Sequence, residues 1–210
     1  AKRVEHEFGK TEIWYVLDAE EGAELIYGFK HQISKEAFRT AIENNTLLDV
    51  LNRVKVHKGD LFFIEAGTVH AIGKGTLIAE IQQNSNSTYR VYDYGRLGKD
   101  GKPRELHIDK AVDVTEPPKY GTKPQGETQP VSGGTKQLLT SCDLFTVYRY
   151  DCESRIELFA DENSFHHLLV INGSGSINGR AFKKGDSYFV PAGFGKYEMD
   201  GKAEILLTKI

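Results

Sequence analysis

The apolar positions of this 210-residue chain fall mostly into short runs. Residues 13–17 (IWYVL), 25–29, 61–64 and 76–81 are rich in β-branched and aromatic side chains, and Val54 and Val56 alternate with polar neighbours. Each predicts a strand. One stretch has a different period. Ala37, Phe38, Ala41 and Ile42 recur at helical spacing, with Ser34 as N-cap and Glu36 in the first turn. Asn44-Asn45 breaks that helix, and Thr46 is read as the cap of a second, short one carrying Leu47, Leu48 and Leu51. The expectation is a helical insertion at 34–52 within a strand-rich region. The tract 89–94 reads as β-rich and 98–103 as a turn.

The C-terminal part reads as strands throughout, at 144–150, 155–159, 167–171, 176–177, 187–190 and 203–208. Turn signals are read at Asn172-Gly173, Asn178-Gly179, Lys184-Gly185 and Asp200-Gly201. Short strands at this spacing suit a sandwich or small barrel. Between the two parts, 115–136 (TEPPKYGTKPQGETQPVSGGTK) holds four of the six prolines. It has almost no large aliphatic side chain with which to offset ordering entropy, so it is expected to be an extended linker.

The two parts repeat a unit. GDLFFIEAGTVH at 59–70 and GDSYFVPAGFGK at 185–196 both run from Gly-Asp into an apolar strand, a small-residue Gly turn and another strand. Upstream, IWYVLDA at 13–19 lines up with HLLVING at 167–173. The repeat makes a two-barrel architecture the expectation.

Composition narrows the function classes. A formal charge of -3 gives no basis for binding nucleic acid. No apolar run approaches the roughly 20 residues of a membrane helix. Two cysteines, Cys142 and Cys152, make no disulfide framework in a chain of this size and are read as thiols. With no secretory signal, a cytoplasmic protein is expected. The chain opens on Ala1 rather than Met, so further sequence is expected upstream.

The pattern G-D-x(5)-A-G-x-x-H resembles the second signature motif of the cupin superfamily, whose double-stranded β-helix (jelly-roll) barrels often hold a metal. The Gly turn lets strands approach, and the strand after it aims the imidazole of His70 at the barrel mouth. In the second copy Lys196 stands in its place, so that barrel is expected to be metal-free. Glu65 stands where cupins often have Pro, as Pro191 does in the second copy. The likeness goes further. GKTEIWYVL (9–17), AGTVHAIGKGTLIAEIQQNS (66–85), TYRVYDYGR (88–96) and RELHIDKAVDV (104–114) resemble type I mannose-6-phosphate isomerases over almost the whole chain.

That resemblance implies a mainly β fold of two cupin barrels with a short helical insertion. Residues 1–114 would form an N-terminally incomplete catalytic barrel, 115–136 the linker, and 137–210 the second barrel. It implies one zinc ion, with Glu12 and His70 as ligands. The family's Q-x-H-P segment is absent here, so two further ligands are expected upstream of Ala1. The implied reaction interconverts mannose 6-phosphate and fructose 6-phosphate through a cis-enediolate. Lys10 is implied near the substrate or in proton transfer, and Glu80 as an acidic active-site residue. Arg90 is implied as the catalytic arginine and Arg96 as a basic residue holding the phosphate. The base is left among Lys10, Glu80 and an upstream His. Asn84-Ser85-Asn86 departs from the Asn-Ser-Asp of many relatives. A hexose 6-phosphate is the implied partner, and a monomer or weak homodimer is expected.

The remaining histidines take plainer readings. His57 is expected to be exposed and His107 to pack or hydrogen-bond near the linker. His166-His167 falls where Glu12 falls in the first copy, in the metal-free barrel. Tyr89, Tyr92 and Tyr94 are read chiefly as core, with lining of the sugar pocket as the second possibility. Two other functions fit parts of the pattern. One is a sugar-phosphate-binding cupin without catalysis. The other is a cupin oxygenase, which calls for three histidines or two with a carboxylate.

Overall fold

A computed structural model describes residues 8–115 and 125–210. They fall into two compact units, Ala1–Thr122 and Lys123–Ile210. The chain is mainly β, as the run pattern requires.

In the first unit, β1 (Glu12–Ala19) is the middle of a three-stranded antiparallel sheet between β4 (Leu61–Ile64) and β6 (Thr76–Gln82). Its residues from Glu12 to Val16 are all buried, so both faces of this strand are covered. That is why it reads as a continuous apolar run rather than an alternation. A second sheet places β2 (Glu24–Phe29) between β3 (Leu51–Lys55) and β5 (His70–Ile72). Trp14, Val16, Leu25, Tyr27, Phe62 and Ile64 pack together as the core of this unit.

Both expected helices form, but the insertion ends before 52: Leu51, read as helical, takes extended backbone and opens β3. In α1 (Lys35–Glu43), Ser34 Oγ accepts from Ala37 N at 3.1 Å, and Phe38, Ala41 and Ile42 are buried against Ile26 and Phe29. Asn45, at φ 56°, ends it. For α2 (Leu47–Val50) the expected Thr46 side-chain cap does not form, because Thr46 Oγ1 turns back toward the Ala41 carbonyl. The strand expected after the Gly turn, with His70 on it, is β5, only three residues long; the sequence reading missed α3 (Ile108–Val114), which buries Ala111 and Val112. The tract 89–94 is not a strand; it is a loop whose tight turn sets Tyr94 and Gly95 at φ 53° and 68°.

The second unit is one eight-stranded sheet, built from β7 (Thr128–Val131), β8 (Gly134–Ser141), β9 (Thr146–Cys152), β10 (Ile156–Ala160), β11 (His166–Ile177), β12 (Arg180–Lys183), β13 (Ser187–Val190) and β14 (Gly195–Lys209); six strands follow one path, while β10 pairs off it with β14 and β13 with β11. Two expectations need correction here. The linker does not reach residue 136, since β7 and the start of β8 lie inside 125–136; its residues 116–124 lie outside those described. Asn172-Gly173 and Asp200-Gly201 are not turns. They lie inside β11 and β14, which pair with each other. Their glycines serve close approach: a Cβ at Gly173 would strike the Lys202 carbonyl, and one at Gly201 would press on Gly175. Asn178-Gly179 and Lys184-Gly185 are turns as expected.

The repeat is reproduced bond for bond. Gly59 and Gly185 both sit at φ 92°. Gly59 N donates to Val16 O and Gly185 N to Val170 O, each at 2.8 Å. Asp60 Oδ2 accepts from His57 N at 2.8 Å, and Asp186 Oδ2 from Lys183 N at 2.9 Å. The register then sets Glu12 opposite Ile64 and His166 opposite Val190.

Candidate active site

Glu12 starts β1 on the face that carries Trp14 and Val16 inward, and its side chain is fully buried. Uncompensated, such a carboxylate is costly. Two neighbours answer it. Lys10, two residues earlier, donates Nζ to Glu12 Oε2, and also to Glu80 Oε1 at 2.9 Å. Glu80 comes from β6, opposite Trp14, and accepts from Trp14 Nε1 at 3.2 Å. The second neighbour is His70, at the start of β5 opposite Tyr27, with its ring edge-on to Trp14 at 5.1 Å.

The protonation pattern follows from these contacts. Burial would push the Glu12 carboxyl up, but the Lys10 ammonium bonded to Oε2 works against that, and the carboxyl is held well below the usual range. Burial would lower Lys10, and Glu12 and Glu80 more than restore it, so its ammonium is kept. The His70 ring is placed by a carbonyl: Nδ1 lies 2.7 Å from Thr68 O, which makes Nδ1 the donor. Nε2 then faces Glu12 Oε1 at 2.9 Å. The two are not aligned as a hydrogen bond, and Oε1 is buried without a hydrogen-bond partner. A ring nitrogen and a carboxylate oxygen converging on one point, with the ring oriented from behind by a carbonyl, is a donor arrangement suited to a cation. Among the described residues no group of three or more His, Cys, Asp or Glu is placed to hold a metal, so this chain offers a pair of donors.

Lys10 and His70 both line a cavity of about 430 Å³, whose wall also includes Thr68, Tyr89 and Val91. The structure thus brings together Lys10, Glu12, His70 and Glu80. It does not bring the side chains of Arg90 and Arg96 into the cavity wall. Arg90 Nη1 donates to Glu105 O at 3.2 Å, and its Nε lies 3.7 Å from Asp93 Oδ1. Arg96, 63% exposed at its side chain, has Nε 3.8 Å from the same oxygen and lies over the Tyr94 ring. The Arg104 guanidinium holds the Asp93 carboxyl below the usual range.

The sequence reading missed Trp14, Thr68, Asp93 and Arg104. Asp93 left a signal, a single acid three residues from an arginine on each side. Thr68 left none, because a backbone carbonyl acts there. The plainer histidine readings hold for His57, which is exposed, and for His107, whose Nδ1 accepts from Arg90 N at 3.0 Å. In the second unit His166 Nδ1 meets Tyr197 OH at 2.7 Å and His167 Nε2 meets Ser187 Oγ at 2.7 Å. Tyr89 lines the cavity, Tyr92 packs on the helical cluster and Tyr94 is exposed. Cys142 and Cys152 are unpaired thiols. Among the described residues no helix is long and apolar enough to cross a membrane.

Residues 134–210 match the family model described as "Mannose-6-phosphate isomerase, cupin domain". The mannose-6-phosphate isomerase ManA of Bacillus subtilis is 39% identical over 97% of this chain and 65% of its own length. A mannose-6-phosphate isomerase of Streptococcus mutans is 38% identical over 97% of this chain and 65% of its own. A crystal structure of the mannose 6-phosphate isomerase from Bacillus subtilis matches with a TM-score of 0.90 at 38% identity, over 98% of this chain and 66% of that one. The chain therefore spans just under two thirds of the length of these relatives.

Proposed function

The chain belongs to the mannose-6-phosphate isomerase family, and on that footing we propose that the intact protein interconverts mannose 6-phosphate and fructose 6-phosphate through a cis-enediolate. The observation that carries this reading is the convergence of His70 Nε2 and the orphaned Glu12 Oε1 at 2.9 Å beside the Lys10-lined cavity. Each unit is read as one cupin barrel. The mirrored Gly59 and Gly185 turns support that reading.

Glu12 and His70 would hold one zinc ion, with two further ligands expected from the part of the relatives that this chain does not span. Zinc bound there supplies Lewis-acid polarisation of the sugar oxygens. Two neutral or anionic donors with one ring oriented by a carbonyl fit that ion, and three protein ligands are its usual minimum. The second barrel lacks the pair: its equivalents are His166, already bonded to Tyr197, and Lys196, a cation.

The chain's own groups take the remaining tasks. The trapped carboxylate of Glu12 keeps Lys10 charged at the cavity wall, where its ammonium hydrogen-bonds sugar oxygens. One of three groups moves the proton between C1 and C2: Lys10, Glu80 or the histidine expected upstream. Arg90 and Arg96 meet negative charge, Arg90 on the enediolate and Arg96 on the phosphate. Tyr89 and Val91, which flank Arg90 in the chain, wall the cavity and exclude water. The cytoplasm, where hexose phosphates occur, is the proposed compartment.

The test is a coupled isomerase assay on the product of the intact gene, with and without Arg90→Ala. Turnover is expected to fall roughly 100–1000-fold, the loss typical of one donor on a developing oxyanion. Unchanged turnover overturns the assignment of Arg90. Tight binding of mannose 6-phosphate with no turnover in the unaltered protein would favour a sugar-phosphate-binding protein instead.

A further inference from the structure

Asp93 is buried at the centre of three arginines. Arg104 grips it with a two-pronged fork, Nε to Oδ2 at 2.7 Å and Nη2 to Oδ1. This geometry fixes the carboxylate in plane and in direction. Arg90 and Arg96 then bring their Nε atoms to 3.7 and 3.8 Å from the same Oδ1. Three positive charges against one negative leave a surplus of two.

The backbone around the cluster is pinned as firmly. Arg90 and His107 exchange two bonds, Arg90 N to His107 Nδ1 at 3.0 Å and His107 N to Arg90 O at 2.7 Å. Leu97 pairs with Pro103, and Gly98 N donates to Lys102 O at 2.7 Å. Arg96 N closes the turn on Asp93 O at 2.9 Å. Arg104 therefore reaches Asp93 across a hairpin-like excursion whose two arms are tied at both ends. Such bracing exceeds what a solvated charge cluster needs, because exposed ion pairs by themselves add little to stability.

We infer that Asp93, clamped by Arg104, is the positioning residue that sets Arg96 for an anion of the phosphate-monoester class beside the cavity and Arg90 for the negative charge next to it. A guanidinium carries five N–H donors, so each arginine keeps donors beyond those used here. Asp93 touches no substrate in this scheme; it acts through the two arginines. The inference rests on the reading of the cavity as a hexose 6-phosphate site.

Opposite signs separate positioning from simple charge. If the arginines acted only through their summed field, Asp93→Asn would remove a negative charge and tighten anion binding. If Asp93 sets their geometry, the same change loosens it. The experiment is calorimetric titration of inorganic phosphate and of mannose 6-phosphate into the intact protein, its Asp93→Asn variant and its Arg104→Lys variant. Circular dichroism monitors the fold, and kcat and KM are measured alongside. Asp93→Asn is expected to weaken both ligands about tenfold, the loss of roughly one charge-assisted hydrogen bond, and to raise KM. Arg104→Lys keeps the charge and the carboxylate but not the fork, and is expected to weaken binding several-fold. Unchanged or tighter binding in either folded variant overturns the inference, as does an unaltered protein that binds neither ligand. An unaltered protein that binds both without isomerising them overturns the isomerase reading and leaves the positioning role standing.

Discussion

Glu12→Gln removes one charge from a fully buried side chain while keeping its shape, and its consequences follow from the contacts of each oxygen. At Oε2, Lys10 loses one carboxylate but keeps Glu80 at 2.9 Å, and its side chain remains 22% exposed. The cost in the absence of metal should thus stay below the ~3–5 kcal/mol of stranding a buried charge. At Oε1, the change replaces a lone-pair donor facing His70 Nε2 by an amide, so the convergent pair is lost. Outer-shell partners are worth roughly 10–100-fold in metal affinity, so ~100-fold is a floor for a direct carboxylate ligand. At zinc one hundred times above the unaltered protein's Kd, linkage stabilises the native state by ~2.7 kcal/mol. A Kd raised 100-fold leaves RT ln 2, ~0.4 kcal/mol. The assay is thermal denaturation of the intact protein and its variant with and without excess zinc. The zinc-dependent shift in midpoint is expected to shrink by roughly 5–10 °C. Equal zinc stabilisation of the two proteins would refute the assignment of Glu12, and no stabilisation of either would refute the metal proposal itself.

The fold offers further tests. Gly173→Ala should destabilise by at least ~2 kcal/mol in chemical denaturation, because its φ of 80° disfavours a side chain and its Cβ meets the Lys202 carbonyl. Gly179→Ala, at φ 76° with open space around the Cβ, should cost only ~1 kcal/mol. Ser34→Ala removes the acceptor for Ala37 N and should cost ~1 kcal/mol, seen as faster hydrogen exchange in α1. Burial lowers His166 from its ordinary value, with Lys209 adding to the effect, so the unfolded chain takes up a proton at a higher pH than the folded one. Stability is therefore lost as pH falls through the unfolded value, ~6.5, toward the folded one, by at most ~1.4 kcal/mol per pH unit. His166→Asn should flatten that part of the denaturation profile between pH 7 and 5. An unchanged profile would mean that the His166–Tyr197 contact does not govern it.

The sequence by itself determined where backbone preference and burial agree. The run at 13–17 became β1, the 3.6-residue spacing from Ala37 to Ile42 became α1, and 61–64 became β4 to the residue. The Gly-Asp repeat was legible because its turn needs a positive φ and an Asp acceptor, which are local requirements. Lys10 and Glu12 could be placed on one face because a strand alternates with period two. Where a local signal served a distant partner, the reading failed. Gly173 and Gly201 looked like turns, yet each is small because another strand passes close by. The β-rich composition of 89–94 yielded a loop, because Arg90 and Asp93 bond across to His107 and Arg104 rather than to a sheet.

Only the tertiary structure decided what the histidine does. His70 stands 58 positions after Glu12 in the chain, and no residue type in the sequence says which ring nitrogen is protonated. The Thr68 carbonyl decides that, and β5 lying beside β2 brings the other nitrogen to the buried carboxylate. Residue types can be read along a chain, but the direction of a lone pair depends on every element packed around it.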